Sequence, residues 1–147
     1  MKIRSITYFV DPGWPLDIGL LKQAGNFIAS AKPAFEQAGY TVQSTRLATA
    51  SFAHRLPGLN PDEVVRFAQQ LESATRDLGF EYVSIGPALP QLPASYTVVP
   101  RVLSSTQNVF ASGQMTTTDG VSLLAVRACA EIIHQAATNT PSIGSFG

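Results

Sequence analysis

Polar residues suited to binding a small molecule are concentrated in one loop, G-Q-M-T-T-T-D-G at residues 113–120. The loop precedes a predicted helix, whose free backbone N–H groups and dipole favour a bound anion. Thr116, Thr117 and Thr118 add hydroxyl groups, whereas the carboxylate of Asp119 would repel a phosphate. The loop contains neither the G-K-[ST] of a Walker motif nor a G-x-G-x-x-G fingerprint. The alternative interpretation is that Thr118 or Asp119 only caps the helix.

Two glycines and one arginine complete the candidate site. Gly86 ends a predicted strand, and a ligand can approach the backbone closely there because a side chain is missing. Gly113 begins the polar loop. The alternative for Gly86 is a simple turn with Pro87. Arg46 lies in a predicted strand near its carboxyl end, where an arginine is costly unless it faces solvent or binds an anion. The predicted ligand-binding residues are Arg46, Gly86, Gly113, Thr116, Thr117 and Thr118.

The single cysteine excludes an internal disulfide and a cysteine-based zinc site. Cys129 shares an apolar stripe with Ala125, Ile132 and Ala136, at helical spacing. This position predicts a buried structural thiol, because a nucleophilic cysteine needs an accessible, electropositive surrounding.

Metal ligands and catalytic histidines are few. Glu131 and His134 form an E-x-x-H pair on the last predicted helix, but no second such pair exists, so no metal site is predicted. His54 lies in a loop beside Arg55 and belongs either to the surface or to the rim of a site. With only two histidines, a Ser-His-Asp arrangement stays open. No cofactor is predicted, and whether the protein is an enzyme is left open.

Length and composition exclude several classes of protein. A chain of 147 residues suits one domain. The ten basic and ten acidic residues cancel, which removes the electrostatic basis for non-specific nucleic-acid binding. No apolar run approaches the ~18 residues of a membrane helix, and the N-terminus lacks a signal-peptide pattern. A reducing cytoplasm is the expected location.

Only 14% of the residues are charged, well below the typical ~25%. One interpretation is an exterior rich in uncharged polar residues. The other is that part of the exterior is buried against another subunit, in a homo-oligomer, or against a missing C-terminal part of the same polypeptide.

Strand and helix patterns alternate along the chain. β-Branched and apolar runs predict strands at residues 3–10, 40–49, 80–85 and 108–112. Apolar stripes at three- and four-residue spacing predict helices at residues 16–38, 60–78, 95–105 and 121–137. Pro33 should kink or split the first helix. The order βαβαβαβα predicts an α/β fold with a mostly parallel sheet, in one domain over residues 1–137 followed by a loosely held tail at 138–147.

Ligands of parallel α/β folds bind beyond the carboxyl ends of the strands. This rule selects the loops at residues 11–15, 50–60, 86–93 and 113–120 as the places for a site.

Several segments resemble domain-of-unknown-function family 711. They are I-R-S-I-T at 3–7, E-Q-A-G at 36–39, F-E-Y-V-S-I-G-P-A-L-P at 80–90, V-P-R-V-L at 99–103 and G-Q-M-T-T-T-D-G-V-S-L-L-A-V-R-A at 113–128. The resemblance implies a fold similar to the pyruvate formate-lyase-like barrels of glycyl radical enzymes. Since family members run to several hundred residues, it also implies that the chain is an N-terminal portion of such a barrel.

The resemblance supplies no catalytic residue. The family's activity is undefined, and radical chemistry would need a glycine in a C-terminal segment and a cysteine inside the barrel, neither of which is apparent. An incomplete barrel does expose sheet edges, so we expect self-association or packing against the missing remainder.

Two functions follow as hypotheses. The first is an enzyme-derived domain with a small-molecule or anion site at the carboxyl ends of its strands. The second is a non-catalytic binding or self-assembly module without an active site. A nucleotide-binding fold of the Rossmann type is disfavoured, because no glycine fingerprint follows Val10.

Overall fold

Four parallel strands form the main sheet of the computed structural model, which describes residues 1–139. The strands of the chain are β1 (Lys2–Ile3), β2 (Ile6–Phe9), β3 (Thr41–Val42), β4 (Thr45–Ala48), β5 (Tyr82–Ala88), β6 (Val109–Gly113), β7 (Thr116–Thr117) and β8 (Gly120–Val121). The main sheet has the order β2-β4-β5-β6. The predicted α/β class with a mostly parallel sheet is therefore confirmed, while closure into a barrel stays a prediction.

Five α-helices are described between and after these strands. They are α1 (Ile18–Gln37), α2 (Phe52–Arg55), α3 (Pro61–Arg76), α4 (Ala94–Ser105) and α5 (Leu123–Asn139), with a 3₁₀ turn at Pro57–Leu59. Helix α5 includes the first two residues of the predicted tail, and residues 140–147 lie outside the described part of the chain. Among the described residues, no helix has the length and apolar character needed to cross a membrane.

The long helices α1, α3, α4 and α5 pack on one face of the sheet. Their buried side chains form one core with the inward residues of the strands, including Leu47, Val83, Ile85 and Val109. Right-handed crossovers explain this arrangement, because strands added in sequence order in one direction send every connecting helix to the same side. The other face of the sheet has no helix packed on it among the described residues.

Two of the helices begin with a side-chain cap. Asp17 caps α1 by accepting a hydrogen bond from the Leu20 N–H at 3.0 Å. Asn60 caps α3 by accepting from the Asp62 N–H at 2.9 Å, and Pro61 fills the first helical position. The predicted split at Pro33 is wrong, because α1 runs unbroken through this residue. Pro33 is exposed, so water can satisfy the carbonyl group that loses its partner, while Leu21 and Ile28 hold the helix on the core.

Three predicted boundaries are corrected by the structure. Strand β5 does not end at residue 85 but continues through Gly86 and Pro87 to Ala88, with an irregular register between Ser84 and Pro87. The 50–60 loop contains α2 and the 3₁₀ turn. The predicted 113–120 loop forms most of the antiparallel hairpin β7–β8, so the loop does not lead directly into α5.

The hairpin also decides how α5 begins. The Ala125 N–H donates to the Ser122 hydroxyl at 3.3 Å, so Ser122 caps this helix. The interpretation that Thr118 or Asp119 is the cap is therefore wrong. Both residues lie in the turn between β7 and β8, so β8 separates them along the chain from the start of α5.

Candidate functional site

A groove of about 690 Å³ lies on the helix-free face of the main sheet. Its side chains come from alternate positions of all four strands, since successive residues of a strand point to opposite faces. They are Thr7 and Phe9 of β2, Arg46 and Ala48 of β4, Tyr82 and Ser84 of β5, and Phe110 and Ser112 of β6. The register sets these residues side by side, pairing Thr7 with Arg46, Arg46 with Tyr82, and Ser84 with Phe110.

Arg46 is the one charged residue among the described residues that line the groove. Its Nε donates to the hydroxyl of Ser44 at 3.2 Å, and that hydroxyl donates to the Arg4 carbonyl oxygen at 3.0 Å. Ser44 is buried, so this relay fixes the guanidinium group in place. The Cζ atom of Arg46 also lies 5.7 Å from the centre of the Tyr82 ring, within cation–π range.

The position of this guanidinium differs from expectation. The sequence interpretation put Arg46 near the carboxyl end of its strand. It is the second of four residues in β4, and its bond to Ser44 turns the side chain toward the amino end. An anion held by Arg46 would therefore lie on the floor of the groove instead of at the rim loops.

Aromatic side chains form the apolar part of the groove, and the sequence prediction did not include them. The rings of Tyr82 and Phe110 meet edge to face, with centroids 5.4 Å apart. Phe9 lines the same groove from β2, at the opposite edge of the sheet, and is 77% exposed. Their common signal is that each is an aromatic residue in a strand position facing away from the core, but the strand registers are needed to bring them together.

Gly86 does not face the groove as an open ligand cradle. It is buried with a φ of +78°, and a Cβ atom there would lie 2.8 Å from the backbone of Ala50 and Ser51. The Ser51 hydroxyl donates to the carbonyl of neighbouring Pro87 at 2.6 Å. The space in front of Gly86 is thus occupied by the segment that links β4 to α2.

Gly113 provides space for Cys129, which approaches the position where its Cβ atom would stand. Burial raises the pKa of the Cys129 thiol, which keeps it protonated and a poor nucleophile at neutral pH. Burial, and then the charge of Cys129, likewise raise the pKa of Tyr96, whose hydroxyl donates to the Gln114 carbonyl. The thiol is half-buried and packs as the apolar stripe predicts.

This packing predicts that Gly113→Ala destabilises the protein by about 1–3 kcal/mol, the usual cost of overpacking. The backbone φ of Gly113 is not in the left-handed region, so the cost should come from the contact with Cys129. In a Cys129→Ala background, Gly113→Ala should therefore cost much less. Urea denaturation of the four proteins in this double-mutant cycle measures the coupling. Equal costs in both backgrounds would contradict the assignment.

Thr116, Thr117 and Thr118 belong to the hairpin and do not line the groove. The Thr117 hydroxyl donates to the Gly120 carbonyl at 3.4 Å and accepts from the Asp119 N–H at 3.2 Å. Of the six predicted ligand-binding residues, the structure places only Arg46 among the groove residues.

The loops at the carboxyl ends of β2 and β4 are tied together by polar contacts. Asp11 and Arg55 form an ion pair, and the Trp14 indole N–H donates to Glu63 at 3.1 Å. His54 lies on α2 and is exposed, in agreement with the surface interpretation. These contacts hold the rim loops in place without adding a charge to the groove.

No group of three or more metal-ligating side chains occurs within residues 1–139. Arg127 donates to Glu131 at 3.0 Å, so the carboxylate of the E-x-x-H pair is occupied by an ion pair on the helix surface.

Comparison with known proteins gives the chain a family. The family model described as "Uncharacterised ACR (DUF711)" matches residues 1–147. The chain belongs to this family. Two curated relatives are UPF0210 proteins, 24% identical over 137 residues in Halothermothrix orenii and 27% identical over 135 residues in Clostridium botulinum. Each match covers 87% of this chain, and the chain spans about 30% of the length of either relative.

Proposed function

We propose that the groove binds a small organic carboxylate whose body is planar and apolar. The observation that carries the proposal is Arg46, a fixed and half-buried guanidinium with no carboxylate partner in the described part of the chain. An arginine in such a position is costly unless an anion completes it. A groove of about 690 Å³ also falls within the size range of small-molecule sites.

The residues around Arg46 suit such a ligand. Ser44 occupies the Nε donor, which leaves the terminal N–H groups available for the two parallel hydrogen bonds that a carboxylate accepts. Tyr82 and Phe110 offer ring faces and edges to a planar body. Thr7, Ser84 and Ser112 supply hydroxyl groups that can orient ligand substituents.

The proposal extends to the architecture of the whole family. An in-order parallel sheet with its helices on one face supports a barrel of the pyruvate formate-lyase-like type, in which the groove is part of the inner wall.

A single free cysteine supports a cytoplasmic location. No residue is assigned a catalytic role, so binding is the proposed activity.

We expect Arg46→Gln to weaken the binding of benzoate by about ten- to hundredfold. The reason is the loss of a charge-assisted hydrogen-bond pair, about 1.5–3 kcal/mol. Titration of ¹⁵N-labelled protein with benzoate, followed by NMR, measures the affinity and shows whether the shifted amides lie on β2, β4, β5 and β6.

The matched control is Arg66→Gln, which makes the same charge change on α3, on the helix-covered side of the sheet. It should leave benzoate binding unchanged. Benzyl alcohol, which lacks the charge, should bind weakly to the original chain and be insensitive to Arg46→Gln. Shifts confined to the 113–120 hairpin, or equal losses in the two variants, would rule the proposal out.

The second candidate function is self-assembly without a ligand. A specific observation favours it, namely the exposure of large apolar side chains on α5, including Leu123, Leu124 and Ile133.

A further inference from the structure

One row of side chains across the helix-free face of the sheet has small residues at its centre and large residues at both ends. The registers of β2, β4, β5 and β6 set Phe9, Ala48, Ser84 and Phe110 side by side in this order. Neighbouring strands lie about 4.8 Å apart, so Ala48 and Ser84 form the floor of a trough two strands wide. Phe9 and Phe110 are its walls, and these four residues define the trough.

The trough starts beside Arg46. On β4, Arg46 stands two residues before Ala48. The other sides of the guanidinium group are taken, because Ser44 holds Nε from the amino side and the registers place Thr7 and Tyr82 on its two flanks. A ligand held by Arg46 therefore extends either into solvent or along the trough, and the trough is the direction in which it gains further contacts.

The hydroxyl group of Ser84 has a donor to offer in the trough. The Gly86 N–H donates to Ser84 Oγ at 3.4 Å, so the oxygen acts as an acceptor within the chain. Within residues 1–139, the proton of this hydroxyl has no hydrogen-bond acceptor. Ser84 is half-buried and lines the groove, and a donor in such a position gains from an acceptor on the ligand.

We propose that the ligand is a para-substituted aromatic carboxylate whose substituent accepts a hydrogen bond from Ser84. This inference rests on the proposed function, because Arg46 must hold the carboxylate at the start of the trough. Two residues of a strand span about 6.6 Å, which is close to the distance between the carboxylate of such a ligand and its para substituent. Ala48 is the second residue that determines specificity, since its small side chain leaves the floor of the trough open.

Two para-substituted probes measure the recognition by Ser84. 4-Hydroxybenzoate and 4-methylbenzoate are nearly equal in size, but only the hydroxyl group can accept a hydrogen bond. We expect the original chain to prefer 4-hydroxybenzoate, and Ser84→Ala to reduce this preference by about two- to tenfold, the worth of one hydrogen bond. The affinity for 4-methylbenzoate should stay within about twofold in Ser84→Ala, which also shows that the variant is folded. Titration of ¹⁵N-labelled protein followed by NMR measures each affinity.

Ser112→Ala is the matched comparison. It removes another hydroxyl group that lines the groove, two residues beyond Phe110 on β6 and outside the trough. Its effect on the preference for 4-hydroxybenzoate should be smaller than that of Ser84→Ala. An equal or larger effect would overturn the assignment to Ser84.

Ala48→Val tests the floor of the trough. Valine is favourable in a strand, so the sheet should tolerate the substitution. The added methyl groups should weaken both para-substituted probes by about five- to hundredfold and benzoate by less, because the para substituent is the part of the ligand that reaches the floor. Equal losses for all three probes would contradict the proposed placement of the substituent.

The outcomes separate this inference from the proposed function. If benzoate binds through Arg46 but Ser84→Ala leaves the preference between the two para-substituted probes unchanged, the proposed function stands and this inference fails. If none of the three probes shifts the amides of β2, β4, β5 and β6, the proposed function fails, and this inference fails with it.

Discussion

Gly86→Ala should lower the free energy of unfolding by about 2–5 kcal/mol, enough to unfold a marginal protein. Two costs combine at this position. The φ of +78° is disfavoured for any residue with a Cβ atom, and the added carbon would stand 2.8 Å from the backbone of Ala50 and Ser51. Backbone atoms cannot rotate away as a flexible side chain can. Urea denaturation followed by circular dichroism measures the loss.

Gly79→Ala is the matched control. Gly79 has a similar φ of +83°, but no atom lies within 4 Å of the position of an added Cβ. Its substitution should cost only the conformational part, about 1–2 kcal/mol. If the two variants lose the same stability, the close approach at Gly86 is not a constraint on the fold.

Glycine has a different structural role at each of these two positions. Gly79 follows the last turn of α3, where a helix commonly ends in a left-handed residue. That role is visible in the sequence. Gly86 lies inside β5 and lets the segment after β4 cross close to the strand. This second role depends on a neighbour more than thirty residues away in the chain, so local sequence suggested either a turn or a ligand contact.

Local signals were sufficient for the main sheet and the four long helices. β-Branched residues and apolar stripes predicted four strand regions and four long helices, and their order predicted the parallel sheet. The D-G pair at Asp119 and Gly120 was also a usable signal, because such a pair is typical of hairpin turns. Since it was interpreted only as part of a loop, the hairpin β7–β8 was missed.

The groove could not be predicted in the same way. Phe9, Tyr82 and Phe110 are separated by long stretches of chain, and each looks like an ordinary strand residue on its own. Only the registers of β2 with β4, β4 with β5, and β5 with β6 bring them to one face beside Arg46. A register depends on packing across the whole sheet, which no local pattern contains. The rule that ligands bind beyond the strand ends predicts a site at the loops, not on this face of the sheet.

A buried carboxylate supports the edge strand of that groove, and its removal is the second large effect we expect. Oε1 of Glu72 on α3 accepts from the N–H groups of Gln107 at 2.8 Å and Asn108 at 2.6 Å. These residues precede β6, so Glu72 fixes the start of the strand that carries Phe110. Glu72→Ala leaves two part-buried donors without their acceptor. The expected cost is about 2–5 kcal/mol, measured by urea denaturation.

Glu72→Gln separates the effect of the carboxylate charge from the effect of having a hydrogen-bond acceptor at this position. The amide keeps an acceptor oxygen at the same distance along the side chain but lacks the charge, so its cost should be about 1 kcal/mol. Amide hydrogen exchange should show faster exchange at Phe110, whose N–H faces β5, in Glu72→Ala than in Glu72→Gln, because β6 loses its anchor before the rest of the sheet does. Unchanged exchange in both variants would mean that β6 is held by its pairing with β5 alone. Faster exchange would instead make Glu72, on the covered side of the sheet, a support for the groove on its open side.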